Sequence, residues 1–198
     1  MRITKHPEER KQEILETALG LFEEKGTQKT SMNDIAETMG VAKGLIYYYF
    51  RSKEELVEAV VKSFSEGVEK EIKTLLSMEG LSFHRRLAQV VKVFFLSIQE
   101  HPALMNITPK NPGLFELVKT SLSELALRHA KVLLQKGVEE GYLNLQYPDY
   151  MLKILIHGIA DLYVEGVTDP GIHCTLIEEA LGLKTGTLLQ EFRFQEGL

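Results

Sequence analysis

Residues 30–53, TSMNDIAETMGVAKGLIYYYFRSK, decide how this chain folds. They read as two short helices joined by a tight turn, the second closing in three tyrosines and a phenylalanine. Thr30 and Ser31 bring hydroxyls to the start of the first helix. Ser31 and Asp34 stand at the spacing of a capping box, with Asp in the usual place of Glu. Ile35, Ala36 and Met39 share a helical face. Gly40 supplies the permissive backbone of a sharp turn. Val41 plugs the angle, and Ala42 to Tyr49 makes the second helix. The pattern is a helix-turn-helix, whose second helix is the element that enters a DNA major groove.

Side chains on the second helix sort by direction. Ile46 and Phe50, at i and i+4, pack inward with Val41 and Ile35. Lys43 and Tyr47 share another face, as do Gly44 and Tyr48. Three consecutive helical residues span about 200°, so Tyr47, Tyr48 and Tyr49 cannot all turn inward. A tyrosine ring packs on sugar or a thymine methyl, and its hydroxyl bonds a phosphate. Gly44 lets a backbone approach closely. Lys43 reaches a guanine edge or a phosphate, and Arg51 and Lys53 follow where a flanking phosphate would run. The alternative is that the three tyrosines are core or linker-packing aromatics.

From about Arg10 to Leu56 the chain resembles the TetR family of bacterial transcriptional regulators. The resemblance rests on EILETALGLFEEKG, then TSMNDIA, then GVAKGLIYYYF, then SKEEL. It implies an all-α homodimer. An N-terminal three-helix helix-turn-helix domain, residues 1–53, would bind DNA. A C-terminal helical bundle, residues 54–198, would bind a small molecule, dimerise and release the DNA. By position it carries DNA contact onto Ser31, Lys43, Gly44, Tyr47, Tyr48, Tyr49 and Lys53. Leu45 stands where the family often has a small hydroxyl residue, and Tyr49 where it often has histidine. Base preference therefore does not carry over.

The 198 residues have room for one or two compact domains, and a hydrophobic content of 44% is ample for a core. The lone cysteine, Cys174, rules out an intramolecular disulfide, and packing as a small hydrophobe is its expected role. No signal peptide is read at the N-terminus, and no apolar run approaches the ~20 residues of a membrane span. A cytoplasmic protein without a membrane partner is expected. The net charge of −5 is unusual for a DNA binder, but it is unevenly spread. Residues 1–53 carry nine basic and eight acidic side chains, a net of +1, which leaves −6 for residues 54–198. Charge alone would bind DNA weakly and with strong salt dependence, and two copies of the footprint would bind far better than one.

The remaining chain reads as helices. One opens at Pro7 and stops at Gly26. A longer one runs from Ser52 to about Ser77 and links the domains. Others follow over the Leu87–Ile98 stripe, from about Leu114 to Gly141, at about 148–166 and at about 172–183. The helix at 148–166 is apolar nearly all round and needs cover on every side. A second copy of the chain would supply that cover, giving a C₂ homodimer on a near-palindromic double-stranded operator. Residues 184–198 give no usable pattern.

Little catalytic chemistry is found in the sequence: none of the familiar nucleophile, phosphate-loop, dinucleotide or zinc motifs occurs. An enzyme is therefore not expected, and neither a cofactor nor a bound metal. His157, Asp161 and Glu165 form one polar stripe at i, i+4 and i+8. It is open to three readings: partners across a dimer, ligand recognition, or metal ligation. An effector cavity in the C-terminal domain, as the resemblance implies, would draw on Phe94, Phe95, Ile98, Met105, Leu125, His129, His157, Asp161 and Tyr163. Such a lining suits a hydrophobic or amphipathic small molecule, though Phe and Met at these spacings equally make plain core. Two regulator readings stay open: one responsive to a ligand, and one whose C-terminal domain only dimerises or binds a protein partner.

Overall fold

The computed structural model describes residues 6–101 and 112–193, leaving aside the side chains of 112–115 and 191–193. The described residues form α-helices and no strand. In chain order they are α1 (Pro7–Lys25), α2 (Met32–Thr38), α3 (Lys43–Tyr49), α4 (Lys53–Ser77), α5 (Phe83–Glu100), α6 (Pro112–Glu139), α7 (Pro148–Val164), α8 (Pro170–Leu181) and α9 (Thr187–Arg193). Met105 lies outside the described residues.

Two compact units result: Met1–Glu66 with Ile98–Val118, and Gly67–Ser97 with Lys119–Leu198. In the first, α1 presents Ile14, Leu15, Ala18, Leu21 and Phe22 as one buried stripe. Against it lie Met32, Ile35 and Ala36 of α2, Ile46 of α3 and Phe50. Burying each large apolar side chain is worth about 1.5–3 kcal/mol, so this small core carries the helix-turn-helix. Thr30, 1% exposed, ties the start of α2 to the end of α1. Its hydroxyl hydrogen is shared between Leu21 O at 3.2 Å and Gly26 O at 3.0 Å. The end of α5 belongs to the same unit. His101 Nδ1 lies 2.6 Å from Glu23 Oε1, and its ring meets Phe64 edge-on at 5.0 Å.

The turn between α2 and α3 follows from one residue. Gly40 has φ of 65°, where a Cβ is strained. That conformation lets Gly40 N–H donate to Glu37 O at 3.0 Å and Val41 N–H to Ala36 O at 2.9 Å, a Schellman stop.

In the second unit, α5, α6 and α8 bury Phe83, Leu87, Val90, Phe95, Leu122, Leu125, Leu133, Leu134, Cys174, Ile177 and Leu181. Gly137 of α6 sits where an added Cβ would come 2.5 Å from the Phe83 ring. Phe83 in turn stacks on Tyr142, 5.3 Å away and 4° from parallel. The helix-breaking end of α4 is held from α5, where the Arg86 guanidinium donates to Met78 O at 2.8 Å.

No pattern was legible in the tail, yet α9 forms there. Its cap comes from another helix. Glu178 of α8, 1% exposed, accepts from Gly186 N–H at 2.7 Å and Leu188 N–H at 2.6 Å. Leu188 is wholly buried beside it.

Candidate functional site

The recognition helix is short, and its two faces are distinct. Ile46 is 0% and Phe50 2% exposed, whereas Tyr47 is 44% and Tyr48 80% exposed. Lys43 and Gly44 open the helix on the exposed side. Lys43 Nζ lies 5.6 Å from the Tyr47 ring centroid, which pre-arranges the ammonium and the phenol as one patch. Tyr49 is half-buried and meets Tyr48 edge-on at 5.3 Å.

Gly44 has ordinary helical φ, and a Cβ built on it meets nothing within 4 Å. The protein's own packing therefore does not ask for glycine here. An external surface approaching the helix would.

Ser31 caps α2 through a reciprocal pair. Its Oγ accepts from Asp34 N–H at 3.2 Å, and Asp34 Oδ2 accepts from Ser31 N–H at 2.6 Å. The cap uses the Ser31 oxygen as an acceptor, and the same hydroxyl bonds the Asp34 carboxylate. The Ser31 backbone N–H, then its hydroxyl, then Lys25 at 3.2 Å hold the Asp34 carboxyl below the usual aspartate range.

Lys53 reaches back across the unit, donating to Gln28 O at 3.2 Å. An ammonium has three donors, so this bond orients the group and leaves two for another acceptor. The start of α4 carries a second reciprocal cap. Glu55 N–H donates to Ser52 Oγ at 3.1 Å, and Arg51 N–H donates to Glu55 Oε2 at 2.7 Å. Arg51 itself is exposed. Ser31, Lys43, Gly44, Tyr47, Tyr48, Tyr49 and Lys53 thus all lie in the first unit, five of them on α3.

This is a DNA-reading helix-turn-helix in geometry, and the comparisons agree. Residues 14–60 match the family model described as bacterial regulatory proteins, tetR family. Over that stretch the chain is a TetR-type helix-turn-helix. It is a DNA-binding transcriptional regulator and not an enzyme. It is 29% identical over 150 residues to the probable HTH-type transcriptional regulator YttP of Bacillus subtilis, covering 73% of this chain and 72% of that one. To the HTH-type transcriptional repressor KstR2 of Mycobacterium tuberculosis it is 26% identical over 165 residues, covering 81% and 80%. Its fold resembles that of the fatty acid degradation regulator FadR from Bacillus halodurans, with a TM-score of 0.69 over 90% of this chain and 96% of that one, at 20% identity. In this chain the helix-turn-helix is followed by the longer helices α4 to α8.

The residues expected around an effector fall in different surroundings. Phe94 is half-buried, while Phe95 and Leu125 are buried in the second unit; Ile98 is half-buried and belongs to the first. His129 Nε2 is 3.1 Å from Glu69 Oε1, a carboxylate also held by Lys73 at 3.0 Å and Arg128 at 3.3 Å. Lys73 first, then His129, keep the Glu69 carboxyl below its usual range. On α7, Asp161 is exposed and pairs with Lys119 of α6; His157 and Glu165 are exposed as well. Among the described residues no group of three or more such side chains is gathered to hold a metal.

Tyr163 is half-buried, and burial pushes its phenol above the usual range. Phe95 and Tyr163 meet at a residue outside the expected set: His173 of α8 lies 5.0 Å from the Phe95 ring and 6.5 Å from the Tyr163 ring. The one sequence signal was a histidine beside a cysteine, a spacing that serves no usual ligand set. Cys174 is fully buried, and desolvation first, then Glu178 and Asp169, push its thiol up to about 11. It is therefore a packed thiol rather than a nucleophile at neutral pH. No described helix is long and apolar enough to cross a membrane.

Proposed function

We propose that this regulator is a repressor, bound as a C₂ homodimer to a near-palindromic operator and released from it by a small hydrophobic ligand. The observation that carries the reading is the exposed face of α3. Lys43, Gly44, Tyr47 and Tyr48 are held outward by the burial of Ile46 and Phe50 behind them. Residues 1–53 act as the DNA-binding module, with Tyr48 and Lys43 on base edges and phosphates and Ser31, Tyr49 and Lys53 on the flanking backbone. Repression is supported by the resemblance to KstR2, a repressor by name.

Dimerisation is supported by α7. Of its 17 residues only Leu152 is buried, while Tyr150 is 70%, Ile154 68% and Val164 52% exposed. Ile172 of α8 is 47% exposed. A second copy packed on α7 and α8 covers these side chains and sets the recognition helices one helical turn of DNA, or a multiple, apart. The chain passes from one unit to the other through α4, 25 residues or about 38 Å long. A ligand that tilts α4 by a few degrees displaces its end by a few ångströms, which spoils docking of two half-sites at once.

The test is selection of bound DNA from a random pool, followed by ligand affinities measured with and without the selected operator. Linkage requires the ligand to bind the DNA complex more weakly, by the factor by which it weakens DNA binding. Equal affinities would leave the second domain as a dimerisation module or a platform for a protein partner.

A further inference from the structure

His173 carries an unused hydrogen-bonding atom in apolar surroundings. Its side chain is 0% exposed. Nε2 lies 2.6 Å from Val167 O. A carbonyl only accepts, so Nε2 bears the hydrogen, and the lone pair of the neutral ring sits on Nδ1. Nδ1 is buried and has no hydrogen-bond partner among the described residues. The Phe95 ring lies 5.0 Å away, tilted by 38°, and the Tyr163 ring 6.5 Å away, within 29° of parallel.

Buried acceptors in native proteins are nearly always satisfied, because leaving one unmade costs more than making it gains. The neighbouring polar groups of α8 are already committed. Asp169 Oδ1 accepts from Gly171 N–H, and Glu178 accepts from Gly186 and Leu188. A carboxylate would in any case bring a second acceptor, not a donor. A buried water needs two to four polar partners, and the rings beside His173 present apolar faces.

We propose that His173 is the polar anchor of the effector site, its Nδ1 accepting a hydrogen bond from the hydroxyl of a compact, uncharged, ring-bearing ligand lodged against Phe95 and Tyr163. The inference rests on the reading of this domain as an effector domain and adds the ligand's chemistry to it. Phe95 and Tyr163 contribute ring contact, and Nδ1 contributes direction. A ligand carboxylate is rejected, since it sets an acceptor against a lone pair. A methyl ether of the same ring is disfavoured for want of a donor.

The full-length protein is titrated calorimetrically with phenol and 2-naphthol, and with their methyl ethers anisole and 2-methoxynaphthalene. Each hydroxyl compound is expected to bind roughly tenfold more tightly than its ether. That preference should vanish in His173→Phe. It should persist in His173→Gln, whose amide can donate to Val167 O while its oxygen still accepts. Where His173→Phe fails to fold, histidine-labelled wild-type protein gives the same answer by nitrogen NMR. The Nδ1 resonance should move with naphthol and stay with the ether.

Equal binding of alcohol and ether overturns the proposal, as does absence of binding by all four compounds. So does an Nδ1 resonance already hydrogen-bonded in the free protein, the mark of a buried water. Operator release by some other ligand, with the His173 resonance unmoved, sinks the anchor and keeps the effector reading. Naphthol binding that moves the resonance but leaves operator affinity unchanged supports the anchor and sinks the effector reading.

Discussion

Gly44 and Gly137 both lie within helices, and alanine would act on them in opposite senses. At Gly44 a Cβ meets nothing within 4 Å, so Gly44→Ala should raise stability by about 0.5 kcal/mol through the better helix former. The same methyl should weaken operator binding by holding the helix off the groove. A melt and a binding titration on one sample check both signs; tighter or unchanged binding would remove Gly44 from the interface. At Gly137 the Cβ would come 2.5 Å from the Phe83 ring, so Gly137→Ala should cost about 1–3 kcal/mol in denaturant melts. Tyr48, 80% exposed, should give the complementary result. Tyr48→Ala leaves the melting temperature in place and weakens operator binding by about 1–3 kcal/mol. The outward tyrosines were legible in the sequence because three consecutive helical residues cannot all turn inward. His173 was not legible, because its meaning comes from rings on two other helices.

At the scale of elements, α2 depends on its reciprocal cap. Ser31→Ala should cost about 1 kcal/mol, read as a lower denaturant midpoint. The Asp34 carboxyl is held below its usual range by the Ser31 N–H, so its ionised form favours the folded state. That contribution is complete above the ordinary aspartate range and is lost as pH falls through the lowered folded value. Asp34→Asn should therefore flatten the acid limb of a stability–pH curve; an unchanged slope would mean the cap does not survive in solution. Helices α1 to α4 announced themselves because their signals are local: Pro7, the Ser31–Asp34 spacing, Gly40 and the Ser52–Glu55 cap. α9 did not, because the group that starts it stands on α8. The bounds of α6 to α8 also came out within a few residues, and Pro148 marks the start of α7 in sequence and structure alike.

For the whole molecule the decisive measurement is size in solution. Ile154 is 68% exposed in the single chain, so Ile154→Asp should leave the protomer folded and split a dimer in sedimentation. A sedimentation coefficient unchanged by the substitution would move the interface off α7. Cys174 offers an independent reading of the second unit: burial and its raised thiol should keep it inert to alkylation at pH 8 until the domain unfolds. Apolar residues on all sides of α7 were visible in the sequence and pointed to a second copy. The effector region was not, because Phe, Leu and Met at helical spacing read the same whether they fill a core or line a site.

Glu178 makes two stretches of the chain depend on each other. Its carboxylate is buried, and the structure answers it with the N–H groups of Gly186 and Leu188. Without Gly186 and Leu188 that carboxylate would be buried with no donor facing it. The last turn of α8 therefore depends on the segment that follows it. A chain cut after Lys184 lacks both donors and should lose far more stability than the contacts of a short helix. Replacing Glu178 with Gln in the cut chain should recover part of the loss, whereas in the intact chain the same change should do harm.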